Sequence, residues 1–195
     1  MTPFQPSPAF PPPPKKSFPT WAIVLLVTGG LVLVIGSILA VLAIYGMRKY
    51  LANAKMAEAR NSLGQIAKDA AVAYEKEDPA TPGKRRLCPS ASRPVPASIA
   101  AISAKKYQSS PSDWEVDKAT NAGFYCLEFS LDSPQYYQYG YEAHGTSTPG
   151  SGFTATAHGD LNGDGITSEF SVMGQIDSTG NLVIAPNLLE KNPEE

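Results

Sequence analysis

Between Asp160 and Gly165 the chain reads Asp-Leu-Asn-Gly-Asp-Gly, with oxygen-bearing side chains at alternate positions and glycine at the sixth. That spacing suits a hard cation: Asp160, Asn162 and Asp164 would offer side-chain oxygens and Ile166 its carbonyl, as in the first half of an EF-type calcium loop. The twelfth position, where such a loop carries a bidentate glutamate, is Ser171, so Glu169 at the tenth is the candidate replacement. The same residues also suit a tight hairpin, with Gly163 and Gly165 at positive φ and the acids solvating its tip. Calcium held here would stabilise the hairpin rather than catalyse. The chain's two cysteines, Cys88 and Cys126, lack the close second cysteine of a zinc knuckle or a CxxC redox site. A disulfide closing the long loop between them is the natural reading, and two buried thiols in a reducing compartment the alternative. The only histidines are His144 and His158, and no nucleophile elbow, phosphate loop or metalloprotease helix accompanies them, so no enzyme is expected.

The elements that would carry these residues follow from periodicity. GFYCLEF at 123–129, QYYQYGYEA at 135–143, GFTATAH at 152–158, TSEFSVMG at 167–174 and NLVIA at 181–185 read as short strands. Between them stand DSP, HGTSTPGSG, GDLNGDG and DSTG, all rich in turn residues, which predicts an antiparallel meander. Tyr137, Tyr139 and Tyr141 would share one face, either as filling between sheet and helix or as an aromatic binding platform. Residues 79–123 carry scattered prolines and predict a loop, with one short helical stretch over 97–105.

Upstream, Trp21 to Tyr45 is an uncharged apolar run that continues without a turn signal into RKYLANAKMAEARNSLGQIAKDAAVAYEKE. At about 1.5 Å per residue the run is roughly 37 Å long, enough to cross a hydrocarbon core of roughly 30 Å. The continuation is amphipathic, with Leu63, Ile66, Ala67, Ala70, Ala73 and Tyr74 at helical spacing. The expected fold is α+β: a long N-terminal transmembrane-plus-amphipathic helix packed on a small antiparallel sheet. The boundaries are a proline-rich tail at 1–20, a transmembrane helix at 21–47, an amphipathic helix at 48–78 and a globular domain at 79–195. Eight of the first twenty residues are proline, which precludes a packed core there. A net charge of -2 gives no basic field for nucleic acid. Flanking cations stand on both sides of the span, so they do not set its orientation. An oxidised cysteine pair does, and it places the N-terminus in the cytoplasm and the C-terminal domain outside it.

AKMAEARNSLGQI at 54–66 resembles the second half of the long helix of type IV pilins and of the pseudopilins of type II secretion. The order of elements, hydrophobic helix, disulfide-bearing loop and C-terminal antiparallel sheet, is similar to theirs as well. The resemblance implies a single-pass protein of a bacterial inner membrane with a periplasmic or extracellular domain, acting as a structural or accessory subunit of a pilus or secretion assembly. Its partners would be the lipid bilayer and other pilin-like subunits, met through the long helix. Some pseudopilins bind calcium in a comparable loop, which adds to the calcium expectation at Asp160. Pilins are processed after a basic leader ending in glycine, just before a phenylalanine. Here Ser17 and Phe18 occupy those places, and Ala22 stands where the family's helix carries a glutamate. Such departures fit an accessory or permanently anchored subunit. A different class of function, a stand-alone anchored extracytoplasmic binding module, fits the aromatic sheet and irregular loop.

Overall fold

The computed structural model of the chain describes residues 19–78 and 81–195. The chain divides into two compact units, Met1–Arg48 and Lys49–Glu195. Helix α1 (Thr20–Glu75) begins in the first. Its large apolar side chains from Trp21 to Met47 are exposed, and none of its most apolar stretch is buried by the protein. A helix satisfies its own backbone and so tolerates hydrocarbon around it. The Thr28 and Ser37 hydroxyls do likewise, Thr28 donating to the Val24 carbonyl at 2.8 Å and Ser37 to that of Val34 at 2.8 Å. α1 is long and apolar enough to cross a membrane. Residues 1–18 of the predicted tail, Ser17 and Phe18 among them, lie outside the described residues, and its last residue, Thr20, already belongs to α1.

In the second unit α1 becomes one-sided: Met56, Ala59, Leu63, Ile66, Ala67, Ala70 and Tyr74 are buried, at spacings of three and four. The helix ends at Glu75, three residues before the expected boundary at Asp78. The Lys76 amide folds back onto the Ala73 carbonyl, and the chain enters a small antiparallel hairpin of β1 (Glu77–Asp78) and β2 (Thr81–Arg85).

The main sheet is antiparallel throughout, in the order β3 (Tyr137–His144), β4 (Gly152–Gly159), β5 (Ser168–Ile176) and β6 (Leu182–Ile184), with β7 (Leu189–Lys191) also beside β5. β6 pairs with Gly174–Ile176 and β7 with Glu169–Ser171, so the two are halves of one edge strand interrupted around Pro186. Proline cannot donate to a ladder, which breaks the edge there. Alternation sends Tyr137, Tyr139, Tyr141, Phe153, Ala155, Phe170 and Val172 to one buried face, which meets the apolar stripe of α1 in a single core. The expected α+β class holds. The tyrosine platform does not: these rings are core.

GFYCLEF is not a strand. Gly123–Leu127 forms a short helix, α3, with Phe124 and Leu127 inward at helical spacing. The reason lies at the outer edge of β3, which residues 87–95 already occupy. Ala91 donates to the Tyr141 carbonyl at 2.9 Å, and Val95 and Tyr139 exchange backbone bonds of 2.9 and 2.8 Å. With that edge filled, the short apolar run has no strand to pair with, and a run this short fits either period. The Cys88–Cys126 disulfide, with Cα atoms 5.7 Å apart, ties the edge segment to α3. Beneath it Trp114, at the end of α2 (Pro111–Trp114), packs edge-on against Phe124 and Phe129 at 5.1 and 5.4 Å.

Closing a loop between residues 38 apart constrains the unfolded chain. Replacing both cysteines by serine is therefore expected to cost about 4 kcal/mol, read as a lower urea midpoint for residues 49–195 in non-reducing buffer.

Candidate functional sites

Two charged residues of the 54–66 motif reach from α1 to the sheet. Glu58 Oε1 accepts the Tyr136 N–H at 2.8 Å and the Tyr139 hydroxyl at 3.3 Å. Arg60 grips Glu190 of β7 with two parallel bonds, Nε to Oε1 at 2.8 Å and Nη2 to Oε2 at 2.9 Å. One turn before the helix ends, the Tyr74 hydroxyl donates to the Gly180 carbonyl at 3.0 Å. Burial raises the Glu58 carboxyl above the usual carboxylate range, opposed by its two hydrogen-bond donors and the charge of Lys106. Burial also raises the hydroxyls of Tyr137, Tyr139 and Tyr141, that of Tyr137 to about 12. All three are protonated at neutral pH and poorly matched to acid–base work there. Sequence reading missed Glu58 and Arg60 as anchors, although both lie within the motif it singled out.

The 160–166 loop is built around its own backbone. Asp160, buried, accepts the Gly163 N–H at 2.7 Å and the Ser103 hydroxyl at 2.8 Å. Asn162 Oδ1 accepts the Asp164 N–H at 2.9 Å, and Asp164 Oδ1 the Ile166 N–H at 2.7 Å. Gly163 and Gly165 take φ of 80° and 87°, the left-handed geometry expected of them. Asp160 also presents its carbonyl to the Ala104 N–H at 2.9 Å, so the tip anchors residues 103–104 to the sheet. Glu169 stands apart, in register with His158 on one side and Lys191 on the other. Among the described residues no three His, Cys, Asp or Glu side chains form a group able to hold a metal, so Glu169 is not gathered with Asp160 and Asp164. His144, at the exposed end of β3, shares a 3.1 Å hydrogen bond with the Thr154 hydroxyl.

Sequence reading did not anticipate a cavity of about 760 Å³ between the end of α1, the disulfide, α2, α3 and the 128–132 turn. Its walls combine the Trp114, Phe124 and Phe129 rings with Leu87 and Leu131, and its mouth carries Lys76, Glu115, Asn121, Glu128 and Asp132. The aromatic residues show no period in sequence, because α2, α3 and the turn after α3 contribute one each.

The raised Glu58 has a direct consequence. Between the ordinary carboxylate pKa and its own, the folded chain keeps a proton that the unfolded chain releases, so this group's contribution to stability falls as pH rises through the folded pKa. Glu58→Gln is expected to remove that part of the slope in urea midpoints measured across mildly acidic pH. Asp160→Ala leaves the Gly163 N–H and the Ser103 hydroxyl without their acceptor and is expected to cost about 1–3 kcal/mol in the same assay. Calcium at the loop is tested by thermal unfolding in millimolar calcium and in chelator. Bound metal raises the midpoint, and an unchanged midpoint assigns the loop to turn formation alone.

Compared with known protein families, with curated proteins and with solved structures, the chain has no match.

Proposed function

We propose that this chain is a membrane-anchored, pilin-like structural or accessory subunit of a type IV pilus or type II secretion type assembly. The observation that carries this reading is α1 itself. One helix has a first stretch apolar on every side and long enough to span a bilayer, and a later stretch with a single apolar stripe closed by an antiparallel sheet and a disulfide-bearing segment. Trp21 at one end of the apolar stretch and Tyr45 and Tyr50 at the other, all exposed, suit the two interfaces of a bilayer, and Arg48 and Lys49 suit its headgroups. The oxidised Cys88–Cys126 pair supports a domain outside the cytoplasm. In this reading the sheet occupies one face of the later stretch of α1, and partners meet the remaining face.

A second reading, a stand-alone anchored binding module, is favoured by the cavity beside the disulfide. It belongs to the irregular segment. The sheet tyrosines are buried and unavailable as a platform.

The two readings separate on α1. Ala54 is exposed, whereas Ala70 is buried against the sheet. Ala54→Glu is expected to leave the thermal midpoint of residues 49–195 unchanged while abolishing co-purification of the full chain with pilin-like partners from its native membrane. Ala70→Glu is expected to unfold the domain. Retention of those partners by Ala54→Glu would favour the binding-module reading. Intact mass of the membrane-extracted protein adds a second check: loss of residues 1–17 with a methyl gained marks processing before Phe18 and entry into a filament, and the full mass marks a permanent anchor.

A further inference from the structure

We propose that Lys55 and Lys106, which converge on the Tyr136 ring, form a site for the phosphate of an anionic lipid headgroup. Through it the unit of residues 49–195 would bind the bilayer surface itself, beyond what the span of α1 provides. The inference rests on the reading of α1 as a membrane span.

The two lysines come from distant parts of the chain. Lys55 is a half-buried residue of α1, and the antiparallel Tyr107–Gln135 bridge sets the exposed Lys106 opposite Tyr136. The Nζ atoms of both lie 4.7 Å from the centroid of that single ring. The ammoniums are therefore no more than twice that distance apart. An aromatic face attracts each of them, but it neither cancels their charge nor removes their mutual repulsion. Neither joins an ion pair among the described residues. Glu58 does act on Lys106 by its charge. Its Oε1, however, is occupied by the Tyr136 N–H and the Tyr139 hydroxyl, and one carboxylate facing two cations leaves one of them unmatched. The same Tyr136 N–H bond fixes the backbone that carries the ring, so the cations meet on a held support.

The class of anion follows from where this site lies along the chain. Residues 49–195 begin directly after the exposed apolar stretch of α1, and Lys55 is six residues, about 9 Å of helix, past Lys49. With α1 in a bilayer, headgroup phosphates are held beside the site at high effective concentration, whereas a soluble anion arrives only by diffusion. Lysine binds phosphate as a point charge and needs no planar partner. Its methylene stem lies along apolar surface while its ammonium reaches for the headgroup, and tyrosine is a residue favoured at that depth.

The test uses the full chain in nanodiscs of phosphatidylcholine alone or of phosphatidylcholine with phosphatidylglycerol. Lysine acetylation by a water-soluble ester is followed by peptide mass spectrometry at low salt, with Lys84, on β2 beyond the end of α1, as the internal reference. Lys55 and Lys106 are each expected to react at least about threefold more slowly, relative to Lys84, when phosphatidylglycerol is present, and to lose that protection in molar salt. Lys106→Gln should weaken the protection of Lys55 at an unchanged thermal midpoint, and Lys55→Gln, read at Lys106, serves should the first variant lower that midpoint. The proposal is overturned by equal reactivity in the two kinds of disc, by protection that persists in molar salt, or by unaltered protection in a folded variant. Equal protection by inorganic phosphate in phosphatidylcholine discs also overturns it, in favour of a site for free anions. Retention of the chain in phosphatidylcholine discs at molar salt tests the span separately. A chain that leaves them overturns the span and this site with it, and a chain that stays while its lysines react alike overturns the site alone.

Discussion

The inner face of the sheet is lined with Tyr137, Tyr139, Phe153 and Phe170, and none of these rings can be left to water. A sheet of four strand positions does not close on itself, so something must lie across that face. The later stretch of α1 does so, setting Leu63 and Ile66 into fully buried positions against it. Each such side chain contributes about 1.5–3 kcal/mol by leaving water. The exposed Arg60–Glu190 pair contributes about 0–1 kcal/mol, so apolar coverage supplies the stability. The polar contacts have another task. Glu58 holds the entry to β3 and Arg60 holds β7, which fixes where along the helix each edge of the sheet lies.

A second constraint follows at the sheet's margins. Open edges invite pairing with other chains. The β3 edge is covered by residues 87–95 and the β5 edge by a strand broken around Pro186. Covering β3 displaces GFYC from the sheet and leaves it a short helix, which the disulfide then binds to the covering segment. A stapled irregular layer of this kind encloses space more readily than a sheet does, and the cavity lies in it.

The 160–166 loop shows how one residue pattern serves two geometries. Alternating Asp, Asn and Asp beside glycines can present oxygens to a cation or to backbone N–H groups. Here each of the three accepts a backbone N–H, and Asp160 also bonds Ser103. The tip of the β4–β5 hairpin thus becomes an anchor for the segment leading to α2.

Much of this architecture was legible in the chain. An uncharged apolar run long enough for a bilayer, a continuing stripe at 3.6-residue spacing, and alternating runs divided by glycine-rich turns each report a local period, and α1, β3, β4, β5 and β6 followed from them. Two cysteines without close neighbours pointed to the staple. What sequence left open depended on which elements meet. Period alone did not decide the state of Phe124–Leu127, because the answer lay in whether the β3 edge was free. It did not reveal β7, whose three residues are held by β5 and by Arg60, 130 positions away. Nor did it reveal the cavity, whose walls come from the end of α1, the disulfide, α2, α3 and the 128–132 turn. Sequence determined the elements and their apolar faces, since those depend on neighbours along the chain. Only tertiary structure decided edge pairing, the role of Glu58 and Arg60, and the enclosed space, since those depend on neighbours across it.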